Sequence, residues 1–223
     1  MNITYLEILT TDVQTQRDFY AKVLELPVKE TTGRLEVQVG STTLVFDQAQ
    51  PDFDGAYHFA FNIPENQLPA AMRWSSGRVT LLNDETGKEL FESESWKSHS
   101  VYFKDPAGNV LEFIARHDLK NPHEGKFDST QILNVSEIGL PSENVIALSN
   151  DLCMQLGLSV FHQEPNENFT PVGDDNGLFI LPIKDRIWIP RSGVPAKLLP
   201  IKVRGNTNGK EWEVRGVPYE INA

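Results

Sequence analysis

Asp105-Pro106-Ala107-Gly108-Asn109-Val110-Leu111-Glu112-Phe113 is the stretch whose reading decides the fold. Its first half is turn chemistry: proline presets φ, while glycine and asparagine tolerate the left-handed backbone of a tight reversal. Its second half alternates, so a strand over 109–115 puts Leu111 and Phe113 on one face and Glu112 on the other. A carboxylate on a mostly apolar strand is costly to bury unless a partner compensates it. The run 100–104 before the turn has strand character and pairs with it.

Working outward, the hairpin closes a longer unit. A turn region rich in Pro, Asp and Gly (50–55) precedes a strand at 57–63. Pro64 and Glu65 open a short helix to about Arg73, and strands are expected near 78–82 and 90–93. The same order stands upstream. Ile3, Tyr5 and Glu7 alternate with Thr4, Leu6 and Ile8. Thr11 or Asp12 caps a helix with Phe19, Val23 and Leu26 at helical spacing, which Pro27 ends. Strands follow at 28–30, 34–40 and 42–47. Each unit therefore reads βαβββ, and 1–117 is read as a pair, 1–50 and 56–117.

Residues 118–130 read as a polar linker. A third unit spans 131–183: a strand at 132–140, a helix carrying Val145, Leu148, Leu152 and Leu156 with Gly157 as its terminator, and strands near 159–163, 169–173 and 178–183. The tail, 184–223, has strand-like pieces at 186–189, 198–204 and 211–217 but no helix, and reads as a partial fourth unit or a β tail. The repeat is weak in identity but consistent in spacing. Leu24-Glu25-Leu26-Pro27-Val28 and Leu156-Gly157-Leu158-Ser159-Val160 share Leu-x-Leu-x-Val. Tyr5, His58 and Glu137 stand at one spacing before the helix starts at Asp12, Glu65 and Asn144.

Composition bounds the function. The 223 residues suit one or two domains, and 39% hydrophobic with 23% charged residues is an ordinary globular balance. With 20 Lys+Arg against 31 Asp+Glu, the formal net charge of -11 argues against nucleic acid and anionic lipid as partners. The single Cys153 excludes an internal disulfide framework and reads as a reduced thiol. The first residues lack a signal-peptide pattern and no apolar run approaches a membrane span, so the cytoplasm is the expected location.

The quoted stretch resembles the closing strand of the vicinal oxygen chelate superfamily, which includes glyoxalase I, extradiol dioxygenases, and fosfomycin- and bleomycin-resistance proteins. Thr10-Thr11-Asp12, Phe19-Tyr20 and Leu24-Glu25-Leu26-Pro27 resemble its opening strand and helix. Glu137-Ile138, the runs Ser76-Gly77-Arg78 and Leu82-Asn83-Asp84, and Ile114-Ala115-Arg116 are similar to the narrower group of toxoflavin-degrading enzymes, the toxoflavin lyases. The resemblance implies a glyoxalase-like α+β fold, with repeated βαβββ units forming curved mixed sheets around a metal or ligand cavity.

It also implies metal ligands on the first and last strands of the units: His58, Glu112 and, as the third, Glu137. A fosfomycin-resistance pattern would have histidine where Tyr5 stands, and tyrosine is a poor ligand for most divalent metals. The corresponding last-strand positions elsewhere fall near Leu44 and Leu181, which cannot ligate. One imidazole and two carboxylates suit Mn²⁺ foremost, with Fe²⁺, Zn²⁺ or Ni²⁺ as alternatives, and leave positions open for a substrate. Tyr5, Trp96, His99 and Phe113 are candidate substrate-binding residues, and Trp188 is a further aromatic surface for a flat ligand. No general base is assigned.

The expected function is a metal-dependent lyase- or dioxygenase-type enzyme acting on a small planar heterocycle. Its rivals are a metal-free, bleomycin-resistance-like binding protein and a glyoxalase-like isomerase or thiol transferase. Because the third unit offers Glu137 from the same chain, a monomer is expected ahead of a dimer.

Overall fold

The computed structural model describes residues 1–223. The first unit is β1 (Asn2–Thr10), α1 (Val13–Asp18) continued by a π-helical turn (Phe19–Val23), β2 (Val28–Thr31), β3 (Arg34–Val39) and β4 (Thr42–Gln48). The middle unit is β5 (His58–Ile63), α2 (Leu68–Ser75), β6 (Phe91–Ser93), β7 (Ser98–Lys104) and β8 (Val110–Arg116). The third is β9 (Asn134–Gly139), α3 (Val145–Leu156), β10 (Phe169–Asp174) and β11 (Gly177–Pro182); the tail gives β12 (Ile201–Thr207), β13 (Lys210–Gly216) and β14 (Glu220–Asn222).

The helix ends follow local chemistry. Asp12 accepts the Thr15 N–H at the start of α1, and Asn144 accepts the Ala147 N–H at the start of α3. Gly157 closes α3 at φ 65°, a left-handed conformation that glycine takes without a Cβ penalty. Helix α2 begins at Leu68, later than Pro64 and Glu65 suggested. Pro69 is the reason: proline is tolerated in the first turn of a helix and not in its interior. Three expected strands reduce to single bridges, Leu81–Phe103, Val160–Val172 and Ile187–Pro195. In the last of these, Pro190 and Pro195 have no N–H to give a ladder.

The strands form two seven-stranded mixed sheets, β14-β13-β12-β1-β4-β3-β2 and β10-β11-β9-β5-β8-β7-β6. Strand pairing thus joins the first unit to the tail and the middle unit to the third. It does not join the first unit to the middle one, as chain order suggested. The sheets are built alike: β1 runs parallel to β4 and antiparallel to β12, as β5 runs parallel to β8 and antiparallel to β9. The tail fills the fourth place as an antiparallel meander, which needs only tight turns and no crossover helix. A core of 42 buried residues draws on both sheets and all three helices, so the units share one interior. Phe59, Phe61, Leu111 and Phe113 face that core. His58, Ala60, Val110 and Glu112 alternate to the other face of the second sheet, where a smaller aromatic cluster with Tyr102, Phe161 and Trp188 covers them.

Candidate metal centre

Strand register assembles the site. Ala60 on β5 pairs with Glu112 on β8 at one side and with Glu137 on β9 at the other. The two carboxylates therefore flank a small residue, and His58 stands on the same face of β5. All three side chains are buried. Nε2 of His58 lies 3.8 Å from Oε2 of Glu112 and 3.7 Å from Oε2 of Glu137. The three candidate ligand atoms lie within 4.8 Å of one another. Nδ1 of His58 is 3.0 Å from the Val110 carbonyl, which can only accept, so the N–H sits on Nδ1 and the Nε2 lone pair faces the carboxylates.

Without a cation this cluster holds a proton. Burial, then the neighbouring Glu137 charge, push the Glu112 carboxyl up to about 7. Burial would lower the His58 pKa, but the Glu137 and Glu112 carboxylates and the Val110 carbonyl outweigh it and raise it. Arg116, fully buried at the end of β8, donates through Nη2 to Oε1 of Glu137. That leaves Oε2 of Glu137 turned to His58. The guanidinium lies 5.6 Å from each of the Trp96 and Phe161 ring centres.

The donor set fits a first-row divalent ion. Bonds of ~2.0–2.2 Å place the ligand atoms of a facial set roughly 3–3.5 Å apart, so separations of 3.7 and 3.8 Å need only slight contraction. The chemistry of one neutral imidazole and two carboxylates suits the same ions. A cavity of about 360 Å³ opens onto Glu112 and is walled chiefly by Phe91, Trp96, Tyr102, Ile114, Phe169 and Trp188. Its size and apolar lining suit a small, flat ligand. Ser100 and Tyr102 on β7 share this wall, Tyr102 directly across from Glu112.

Of the residues singled out in the sequence, the structure brings together His58, Glu112, Glu137, Trp96 and Trp188. It does not bring Tyr5, His99 or Phe113. Tyr5 is on the other sheet, bonded to Glu7 and Arg34. His99 alternates to the opposite face of β7, across from Ala115, and its Nδ1 meets His117 Nε2 at 2.7 Å. Phe113 is core, against Phe61 and Phe103. Arg116, Ser100 and Tyr102 were missed, although alternation from Glu112 through Ile114 places Arg116 on the site's face. A second grouping, Asp118, His162 and Asp175, is more exposed, and Lys97 already binds Asp118.

A candidate dioxygenase from Bacillus subtilis subsp. subtilis strain 168 aligns with 93% of this chain and 71% of its own, at 18% identity and a TM-score of 0.63. The fold is glyoxalase-like. Other solved structures similar to this chain include a glyoxalase/bleomycin resistance protein/dioxygenase from Nocardioides (16% identity, 56% of this chain and 89% of that one, TM-score 0.43). A lactoylglutathione lyase from Agrobacterium tumefaciens is another (20% identity, 50% and 90%, TM-score 0.41). No family model and no curated protein matches the sequence. No helix is long and apolar enough to cross a membrane.

Proposed function

We propose that this protein is a metal-dependent enzyme of the vicinal oxygen chelate type. It transforms a small planar heterocycle in the manner of toxoflavin-degrading enzymes. The observation that carries this reading is the convergence of His58, Glu112 and Glu137 beside an aromatic-walled cavity. Mn²⁺ is the favoured ion, ahead of Fe²⁺, Zn²⁺ or Ni²⁺. A bound divalent ion supplies Lewis-acid polarisation of a ligand that chelates it through adjacent oxygen or nitrogen atoms. The chain does the rest. The Val110 carbonyl fixes the His58 tautomer, Arg116 orients Glu137, and Trp96, Phe169 and Trp188 hold a flat ring and exclude water. All three ligands come from one chain, so the working unit is a monomer.

A second reading, a metal-free module that sequesters a flat ligand, is favoured by the Arg116–Glu137 ion pair, which balances one carboxylate without a metal. One experiment separates the two. Toxoflavin is incubated with the protein, Mn²⁺, oxygen and a reductant, and its absorbance is followed with and without chelator. The enzyme reading expects loss of absorbance only when the metal is present. Tight binding in chelator with the absorbance preserved supports sequestration and contradicts the enzyme.

A further inference from the structure

The cavity beside the metal-binding cluster has two ends. Ser98, Ser100, Tyr102 and Glu112 line it and are buried. Glu92, Arg186, Ile187 and Ile189 line it and are exposed, so they form its mouth. Other polar groups of the lining are already engaged. Ser93 Oγ accepts the Trp96 N–H at 3.3 Å, and Gln163 Nε2 donates to the Phe169 carbonyl at 2.8 Å. The Glu92 carboxylate lies 3.8 Å from Nε2 of His99. Arg186 is the exception, and it is the one cation of the lining.

Arg34, Arg78 and Arg116 each bind a carboxylate of this chain, and Arg186 binds none. Its guanidinium donates once, from Nη1 to the Asn168 carbonyl at 3.3 Å, which leaves Nε and Nη2 free to bond a ligand. The group is held in place all the same. Cζ stands 4.7 Å from the ring centre of Phe169, a wall of the same cavity, and Phe169 stacks in turn on Trp96. Backbone bonds fix the stem: Arg186 N–H donates to the Ile183 carbonyl (3.2 Å), and Ala196 N–H to the Arg186 carbonyl (2.8 Å). Ile187 and Ile189 are 46% and 54% exposed and give the mouth an apolar collar. A ligand that covers them displaces water, and charge pairing at the mouth strengthens as the water leaves.

We propose that Arg186 is an anion-recognition residue at the mouth of this cavity. The substrate is then a planar chelator that carries an acidic substituent, such as a carboxylate or a sulfonate, at the end remote from its metal-binding pair. The guanidinium fork suits the paired oxygens of such a group. This rests on the metal-dependent reading above and narrows its substrate class. Glu92 is the opposing charge at the mouth, but it stands on β6 with His99 beside it, while Arg186 stands after β11.

The test uses two flat, two-ring chelators with the same N,O pair. 8-Hydroxyquinoline is neutral beyond that pair, and 8-hydroxyquinoline-5-sulfonate adds an anion para to the hydroxyl, pointing away from the metal end. Each is titrated calorimetrically into Mn²⁺-loaded wild-type protein, Arg186→Gln and Arg186→Lys. The sulfonate also changes the acidity of the hydroxyl, so each probe is compared with itself across the three proteins. Affinity for the sulfonate is expected to fall roughly ten-fold in Arg186→Gln, the worth of one charge-assisted hydrogen bond. Arg186→Lys keeps the charge and loses the fork, so its loss should be smaller. Affinity for 8-hydroxyquinoline should stay within about two-fold in both variants. Equal losses for both probes, no change in either, or no binding of the sulfonate by the wild type would overturn the assignment. Repeating the titrations on chelator-treated protein separates the two claims. Arg186-dependent sulfonate binding that persists without metal keeps the anion site and defeats the metal reading. Metal-dependent binding of both probes with no Arg186 dependence does the reverse.

Discussion

Glu112 shows how one residue carries both an energetic cost and a use. Its carboxyl is pushed up to about 7 by burial and by Glu137, and His58 beside it is raised as well. Both groups therefore bind protons more readily folded than unfolded. Their contribution to stability is present at low pH and is lost as pH rises through those folded-state values. Metal-free protein should melt lower at pH 8 than at pH 5. Glu112→Gln should flatten that dependence in thermal melts run with chelator, while abolishing metal binding. Conversely, protons compete with a cation, so Mn²⁺ affinity should rise as pH climbs through about 7, as read by titration calorimetry. Glu112 was legible in the sequence because a carboxylate interrupts an apolar alternation within a motif. Arg116 was not, because an arginine at a strand end ordinarily runs its stem along the surface and keeps its head in water.

At the scale of elements, the turn that decided the fold does more than reverse the chain. Asp105 accepts hydrogen bonds from the Ala107 and Asn109 N–H groups, and also from Gln16 and Tyr20 of the first unit. Burial raises its carboxyl to about 6 despite those bonds. Asp105→Ala should destabilise the protein by about 2–3 kcal/mol in denaturant titrations, since several buried donors lose an acceptor together. Gly139→Ala should cost about 1–3 kcal/mol by overpacking against Trp188. Strands and caps were readable because alternation and capping are local. Register was not: Ala60 pairs with Glu112, and the counterpart pairing in the first sheet is Glu7 with Val45, one residue from the expected Leu44. A single-residue slip of this kind is invisible to a pattern of period two when both neighbours are apolar.

Across the whole molecule, the two sheets repeat one plan and keep one site. Where the second sheet sets Glu137, Ala60 and Glu112 in a row, the first sets Lys202, Glu7 and Val45, with Tyr5 in the place of His58. There Arg34 bonds Glu7 at 3.0 Å and the Tyr5 hydroxyl at 2.5 Å, and the row closes on itself as an ion-pair network. The repeat was visible in the sequence, but which units share a sheet was not, because that is fixed by pairing between segments far apart in the chain. Tyr5→Phe should therefore leave metal binding unchanged and cost at most a fraction of the stability. The central claim, a metal centre completed by the third unit, is tested most directly by metal stoichiometry. Protein purified without chelator, loaded with Mn²⁺ and desalted, should retain about one ion per chain in the wild type and in Tyr5→Phe. His58→Ala, Glu112→Ala and Glu137→Ala should retain almost none. Full retention in Glu137→Ala together with loss in Tyr5→Phe would contradict the account.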